Sequence, residues 1–144
     1  FDTCVLMNET FITQSINNFL KINDYFIIQC IFPGGQGALN FKVNGRPVYP
    51  DLIAFKNGTL IIGENKPSYN ESDHKKLKKI KNNFNFNEKA QEIVNNFFKS
   101  KKIPYSKILR IDFFLGFKES KIKPLDYVKF FNVRDNGQVL MLEN

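Results

Sequence analysis

The 144-residue sequence holds no tryptophan, a single histidine and two cysteines. His74 is given no catalytic role, and Cys4 and Cys30 lie at no metal-ligand spacing. Nothing in the chain therefore resembles a Cys/His zinc cluster. The two cysteines fit buried thiols as well as one bridge. No apolar run approaches the roughly 20 residues of a membrane span. The opening FDTCVLMNETF has neither the basic start nor the long apolar centre of a signal peptide. These absences lead to the expectation of an intracellular protein, cytoplasmic or nucleoid-associated, with reduced cysteines and no membrane. There is no Gly-Lys-Ser/Thr after the glycine cluster at 34–37, which excludes a P-loop. With no internal repeat and no long linker, residues 1–144 read as one domain, large enough to bury a core unaided.

Acidic residues are outnumbered. Lys and Arg total 21 against 14 Asp and Glu, a net charge of +7 that suits an anionic partner such as nucleic acid. Abundant lysine and asparagine is equally the mark of an A+T-rich genome. Sixteen phenylalanines fit the same bias.

The most informative stretch is PDLIAFKNGTLIIGENK, residues 50–66. Asn57-Gly58 is a strong hairpin signal, because a type I′ turn needs positive φ at both central residues. A two-residue loop fixes the register: Lys56 faces Thr59, and counting outward sets Asp51 opposite Glu64. Opposed residues share a face with Cβ atoms roughly 5 Å apart, where like charges repel. Lys66 falls on the same face about 7 Å beyond Glu64. The hairpin, residues 49–66, thus predicts that Asp51, Glu64 and Lys66 converge. Hard oxygen ligands of this kind favour Mg²⁺, with Mn²⁺ as a substitute. Such a cation would offset charge on a phosphodiester while Lys66 orients water or neutralises developing charge. A solvated cluster in which Lys66 only pairs with Glu64 is the plainer alternative.

The remaining elements follow from periodicity and caps. Asn8 caps a helix through about Lys21, with Phe11, Ile12, Ile16, Phe19 and Leu20 as its apolar stripe. Residues 24–32 read as a largely buried first strand, PGGQG as a loop, and Asn44-Gly45 as a second turn. That loop is either a clamp near a nucleic-acid backbone, which would bring Gln36 and Arg46 to the substrate, or an ordinary connection. Asn70 with Asp73 predicts a capping box for a helix whose seam is Leu77, Ile80 and Phe84. Lys75, Lys76, Lys78, Lys79 and Lys81 load its exposed side, a solvated face or a phosphate-binding one. Asn85 with Glu88 predicts another capped helix, packing through Ala90, Ile93, Val94 and Phe97. Residues 107–117 read as a central strand, and 127–143 as a hairpin around Asn136-Gly137 that pairs Val133 with Leu140 and Arg134 with Val139. The order α-β-β-β-α-α-β-β-β gives an α+β (α/β) domain with a mixed central β-sheet flanked by helices.

Pro50-Asp51 followed after twelve residues by Glu64-Asn65-Lys66 resembles the signature of the PD-(D/E)XK nuclease superfamily. Its fold is shared by many type II restriction endonucleases, archaeal Holliday junction resolvases and repair nucleases. The resemblance covers roughly residues 9–117 and implies the restriction-endonuclease-like αβββαβ core. It makes Asp51, Glu64 and the Asn65 main-chain carbonyl metal ligands and Lys66 the catalytic lysine. It also makes Glu9, on the first helix, a further candidate ligand, the alternative being a glutamate that only complements the helix dipole. What it implies is a Mg²⁺-dependent endonuclease acting on DNA more readily than RNA, as a homodimer where both strands are cut. The first residue, Phe1, leaves room for a nuclease domain of a longer enzyme, including an RNA endonuclease domain of a viral polymerase. A non-catalytic nucleic-acid-binding module of the same fold is the alternative from another class.

Overall fold

Helix α1 (Glu9–Ile22) starts where Asn8 accepts a hydrogen bond from the Phe11 N–H at 3.0 Å, as its cap position predicts. Strand β1 (Phe26–Cys30) follows, then a small hairpin of β2 (Phe41–Val43) and β3 (Arg46–Val48). The central hairpin, β4 (Leu52–Lys56) and β5 (Thr59–Asn65), leads into helices α2 (Glu71–Lys81) and α3 (Phe86–Lys101). Strands β6 (Arg110–Lys118), β7 (Val128–Val133) and β8 (Val139–Leu142) complete the chain. This computed structural model describes residues 8–104, 106–124 and 126–143, so the expectation for Cys4 lies outside the described residues. Cys30 is a free thiol.

Six strands form one mixed sheet in the order β1-β4-β5-β6-β7-β8. β5, β6 and β7 run parallel and the other neighbours antiparallel. Alternation along β4 and β5 divides the core. Ile53, Phe55, Leu60 and Ile62 pack with Leu77, Ile80, Ala90 and Val94 of α2 and α3. Leu52, Ala54 and Ile61 pack with Ile12, Ile16 and Leu20 of α1 on the other face. The sheet is therefore buried on both sides by helices, and β6 lies inside it, as its unbroken apolar run predicts. Among the described residues no helix is long and apolar enough to cross a membrane.

The turn at Asn57-Gly58 has φ of 48° and 84°, and β4 pairs with β5 from Lys56–Thr59 to Leu52–Gly63 in the predicted register. Other expectations need correction. β1 is a bulged edge strand with only Gln29 buried, shorter than the predicted 24–32. Residues 107–109 precede β6. Asn70 accepts from the Ser72 N–H at 2.8 Å, while the Asp73 side chain is buried under the helix instead of closing a capping box. Asn85 makes no side-chain cap bond. Phe84 lies beyond the end of α2, where helical spacing no longer applies, and is 97% exposed. Phe98 is buried on α3, with Phe97 half-buried beside it.

The last hairpin is shifted by one residue. Val133 pairs with Val139 and Asn132 with Leu140. The loop holds three residues, with the Arg134 N–H donating to Gln138 O and only Gly137 at positive φ, 87°. That is the bulged three-residue loop, which competes with the two-residue turn for the same Asn-Gly pair.

Candidate functional site

Asp51 and Glu64 sit one residue past the last paired positions of the β4–β5 ladder, and each carboxylate is held by the other strand's backbone. The Asp51 N–H donates to Glu64 Oε2 at 2.9 Å, and the Asn65 N–H donates to Asp51 Oδ2 at 3.0 Å. Side-chain acceptors thus take over the ladder where main-chain pairing stops. In an extended strand the N–H and C=O of one residue point to the same side. The Asn65 carbonyl is therefore directed to the same edge as its N–H, towards Asp51. The Asp51 backbone is fixed further by the Ile31 N–H, which donates to Asp51 O at 2.8 Å.

Two lysines enter this space. Lys66 Nζ lies 4.0 Å from Glu9 Oε1, and Lys76 Nζ donates to Glu64 Oε1 at 2.8 Å and to Tyr49 O at 2.9 Å. Partial burial alone would lower the Lys66 pKa. The surrounding Asp51, Asp73, Glu9 and Glu64 outweigh it and hold the pKa above the ordinary lysine value, so Lys66 is a cation at neutral pH. Glu64 is 1% exposed. Burial and the neighbouring Asp51 push it up to about 7, against the pull of Lys76 and the Asp51 N–H. Asp73 is raised as well, chiefly by burial. Four carboxylates and two ammonium groups leave a formal excess of two negative charges.

The structure brings Asp51, Glu64, Asn65, Lys66 and Glu9 to one end of the β4–β5 hairpin, with Glu9 against Lys66. Lys75, Lys78 and Lys79 lie exposed along α2. Lys76 does not, because its side chain turns inward to Glu64. Gln36 is exposed in the loop after β1. Arg46 is exposed at the tip end of β3, three residues from Tyr49 and so about 10 Å along the strand from the Lys76 contact. Neither of these two joins the carboxylates.

Three side chains at or behind the site take places that the sequence does not suggest. It suggests a capping box for Asp73, a solvated or phosphate-binding charge for Lys76 and no role for Gln29. Yet positions 73, 76, 77 and 80 share one helical face, so the apolar seam of Leu77 and Ile80 already marked both as inward. Gln29 is hidden in an apolar strand. It is buried and binds Pro50 O at 2.9 Å, Leu39 O at 3.0 Å and the Leu39 N–H at 2.9 Å, fixing the loop and the backbone next to Asp51.

Among the described residues no three His, Cys, Asp or Glu side chains gather as a ligand set. The donors on offer are two carboxylates with a main-chain carbonyl beside them, all oxygen, which is the chemistry of Mg²⁺ and Mn²⁺. Burial and the neighbouring Asp51 raise Glu64, and a bound cation would favour its ionised form. The residues present fit such an ion. Compared with protein-family models, with curated proteins and with solved structures, the chain finds no match.

Proposed function

We propose that the chain is a divalent-cation-dependent endonuclease of PD-(D/E)XK type that hydrolyses phosphodiester bonds of DNA. The observation that carries this reading is the reciprocal clamp: at one end of the hairpin the Asp51 and Glu64 carboxylates each accept a backbone N–H from the other's strand, with Lys66 beside them. The order of elements supports it. α1, β1 and the β4–β5 hairpin are followed by α2 and α3, and then by β6 parallel to β5, which is an αβββαβ arrangement with an added helix and the β2–β3 hairpin inserted.

In this reading Asp51, Glu64 and the Asn65 carbonyl would hold Mg²⁺ or Mn²⁺. When bound, the ion supplies Lewis-acid chemistry, offsetting charge on phosphoryl oxygens and making water more acidic. Lys66, charged at neutral pH, donates hydrogen bonds to the attacking water or a phosphoryl oxygen and counters charge as it develops; it does not act as a base. Glu9 and Asp73 hold Lys66 in place. Water attacks phosphorus in line and gives up a proton to solvent, one P–O bond forms and the opposite one breaks, and the leaving oxygen takes up a proton from solvent. Lys75, Lys78 and Lys79 contact phosphates without reading sequence. Two copies of the chain would act together where both strands are cut.

The Lys76–Glu64 ion pair favours a second reading, because it neutralises Glu64 without any ion: a nucleic-acid-binding module that does not cleave. Incubation with linear duplex, branched, single-stranded and RNA substrates in Mg²⁺, Mn²⁺ or EDTA decides between them and also tests for an RNA endonuclease domain. Cleavage is expected with either ion and none in EDTA. Asp51→Ala and Lys66→Ala should each lose at least about 100-fold in rate, the usual effect of removing a charge-stabilising group. Unchanged cleavage in both variants overturns the assignment. Tight binding without cleavage by the intact chain supports the second reading.

A further inference from the structure

Phe84 is the most exposed large apolar side chain among the described residues, at 97%, and it is displayed on a rigid turn. The turn joins α2 to α3 in four residues. It is fixed by the Asn83 N–H to Ile80 O at 3.2 Å, by the Phe86 N–H to Asn83 O at 3.0 Å, and by the Asn83 side chain donating to Lys42 O of β2. Phe86, two residues on, is buried against Phe41. The ring of Phe84 is therefore held out to solvent by a scaffold that gives it little freedom to fold back.

Single exposed apolar residues are common and need no explanation. What sets this one apart is its setting. Phe84 is one wall of a groove of about 610 Å³ that is also lined by Lys75, Lys78 and Lys79 of α2 and by Val43 and Asn44 at the β2–β3 tip. That volume is in the range of small-ligand pockets. Lys78 and Lys79 have no acidic partner among the described residues, and the exposed pair of Lys75 with Glu71 at 3.8 Å is weak. On the other side of the ring Arg110 is already held by Asp112, with its Nε 3.0 Å from both carboxylate oxygens. Lys81, on that same side, lies over the Tyr127 ring at 4.9 Å, so the lysines with neither a ring nor a strong acid partner face the groove. Cations spaced along a groove with a flat aromatic wall match a strand with phosphates on one side and unpaired bases on the other.

We propose that this groove binds single-stranded nucleic acid, with an unpaired base stacked on Phe84 and the adjoining phosphates on Lys75, Lys78 and Lys79. A base inside a duplex has no free face to offer the ring, so the groove selects unpaired segments. The groove begins at Lys75, next in sequence to Lys76 of the candidate site, and α2 runs on for about 8 Å from Lys76 to Lys81 before the turn that carries Phe84. Its placement beside a cleaved phosphate rests on the endonuclease reading. The stacking itself does not.

Fluorescence anisotropy in EDTA, where no cleavage occurs, separates the two. Labelled oligothymidylate, oligouridylate and a blunt hairpin duplex are titrated with the intact chain, with Phe84→Ala, with Phe84→Trp and with Lys78→Ala/Lys79→Ala. The inference expects Phe84→Ala to weaken single-strand binding by roughly 5- to 150-fold, the span of one base stacked on an aromatic ring, with the salt slope and duplex binding unchanged. Phe84→Trp should retain affinity and show quenching of the new indole. The lysine double variant should lower the salt slope. A preference for the DNA or the RNA oligomer names the source of the strand. The inference is overturned if the intact chain binds neither oligomer at low salt, if Phe84→Ala binds single strands as well as the intact chain does, or if it loses single strands and duplex equally. Since Phe84 is almost fully exposed, loss of folding does not confound the result.

Discussion

Glu64 carries the main energetic conflict in the chain. A carboxylate that is 1% exposed and next to another acid has a folded-state pKa of about 7 against 4.5 for the free group. Between those values the folded protein keeps a proton that the unfolded chain has released, so protonation favours folding. This contribution is complete below about pH 4.5 and is lost as pH rises through 7; it is on the order of 3 kcal/mol. Asp73, also raised, acts in the same sense. Denaturant unfolding in EDTA should therefore show stability falling between pH 5 and 8, and Glu64→Gln should reduce that fall by most of its size. An unchanged slope in the variant would contradict the account. Asp51, Glu64 and Lys66 were legible because their positions follow from counting along one hairpin. Gln29 was not, since its role depends on which carbonyls a distant loop and Pro50 bring to it.

Among the elements, the hairpins mark how far local chemistry determines register. All three hairpins contain Asn-Gly, and Asn44-Gly45 and Asn57-Gly58 form the two-residue turn with both central residues at positive φ, whereas Asn136-Gly137 does not. At Asn136-Gly137 the asparagine keeps negative φ and its Oδ1 accepts from the Gln138 N–H at 2.9 Å. That Asx-type bond stabilises the wider loop, and the shift of one residue reverses which face each side chain meets. Glycine at the two central positions is not equivalent either. A Cβ at Gly58, φ 84°, would lie 2.8 Å from Leu109 Cδ1, whereas one at Gly45, φ 78°, meets nothing within 4 Å. Gly45→Ala carries the left-handed backbone cost alone, about 1–2 kcal/mol. Gly58→Ala adds crowding of about 1–3 kcal/mol to the same strain. Urea denaturation should rank the variants in that order, and equal losses would show that Leu109 moves aside freely. The helices were legible in position through their apolar stripes, and α1 and α2 also through the capping side chains of Asn8 and Asn70. Their inward polar residues, Asp73 and Lys76, were not, because a charged helix position lies at the surface unless a partner such as Glu64 is buried beneath it.

For the molecule as a whole, the sheet's polarity collects unlike parts at one end. The N-terminus of α1 brings Glu9, the β4–β5 hairpin brings Asp51, Glu64 and Lys66, and the first turns of α2 bring Asp73 and Lys76. These four carboxylates and two ammonium groups stand in a chain of net charge +7, with further lysines along α2. The mixed sheet between helices was legible from the order of elements. The lysine-lined groove beside Phe84 was not, because it needs the β2–β3 hairpin folded against the α2–α3 turn. If this end of the hairpin is a cation site, the ion and the Glu64 proton must compete, so affinity should rise with pH up to about 7 and level off above it. Calorimetric titration with Mn²⁺ at pH 6 and pH 8 tests this most directly. The account predicts one ion per chain, bound more tightly at pH 8, with protons released at pH 6 and with binding abolished in Glu64→Gln. Binding that is equally weak in the intact chain and in Glu64→Gln at both pH values would contradict it.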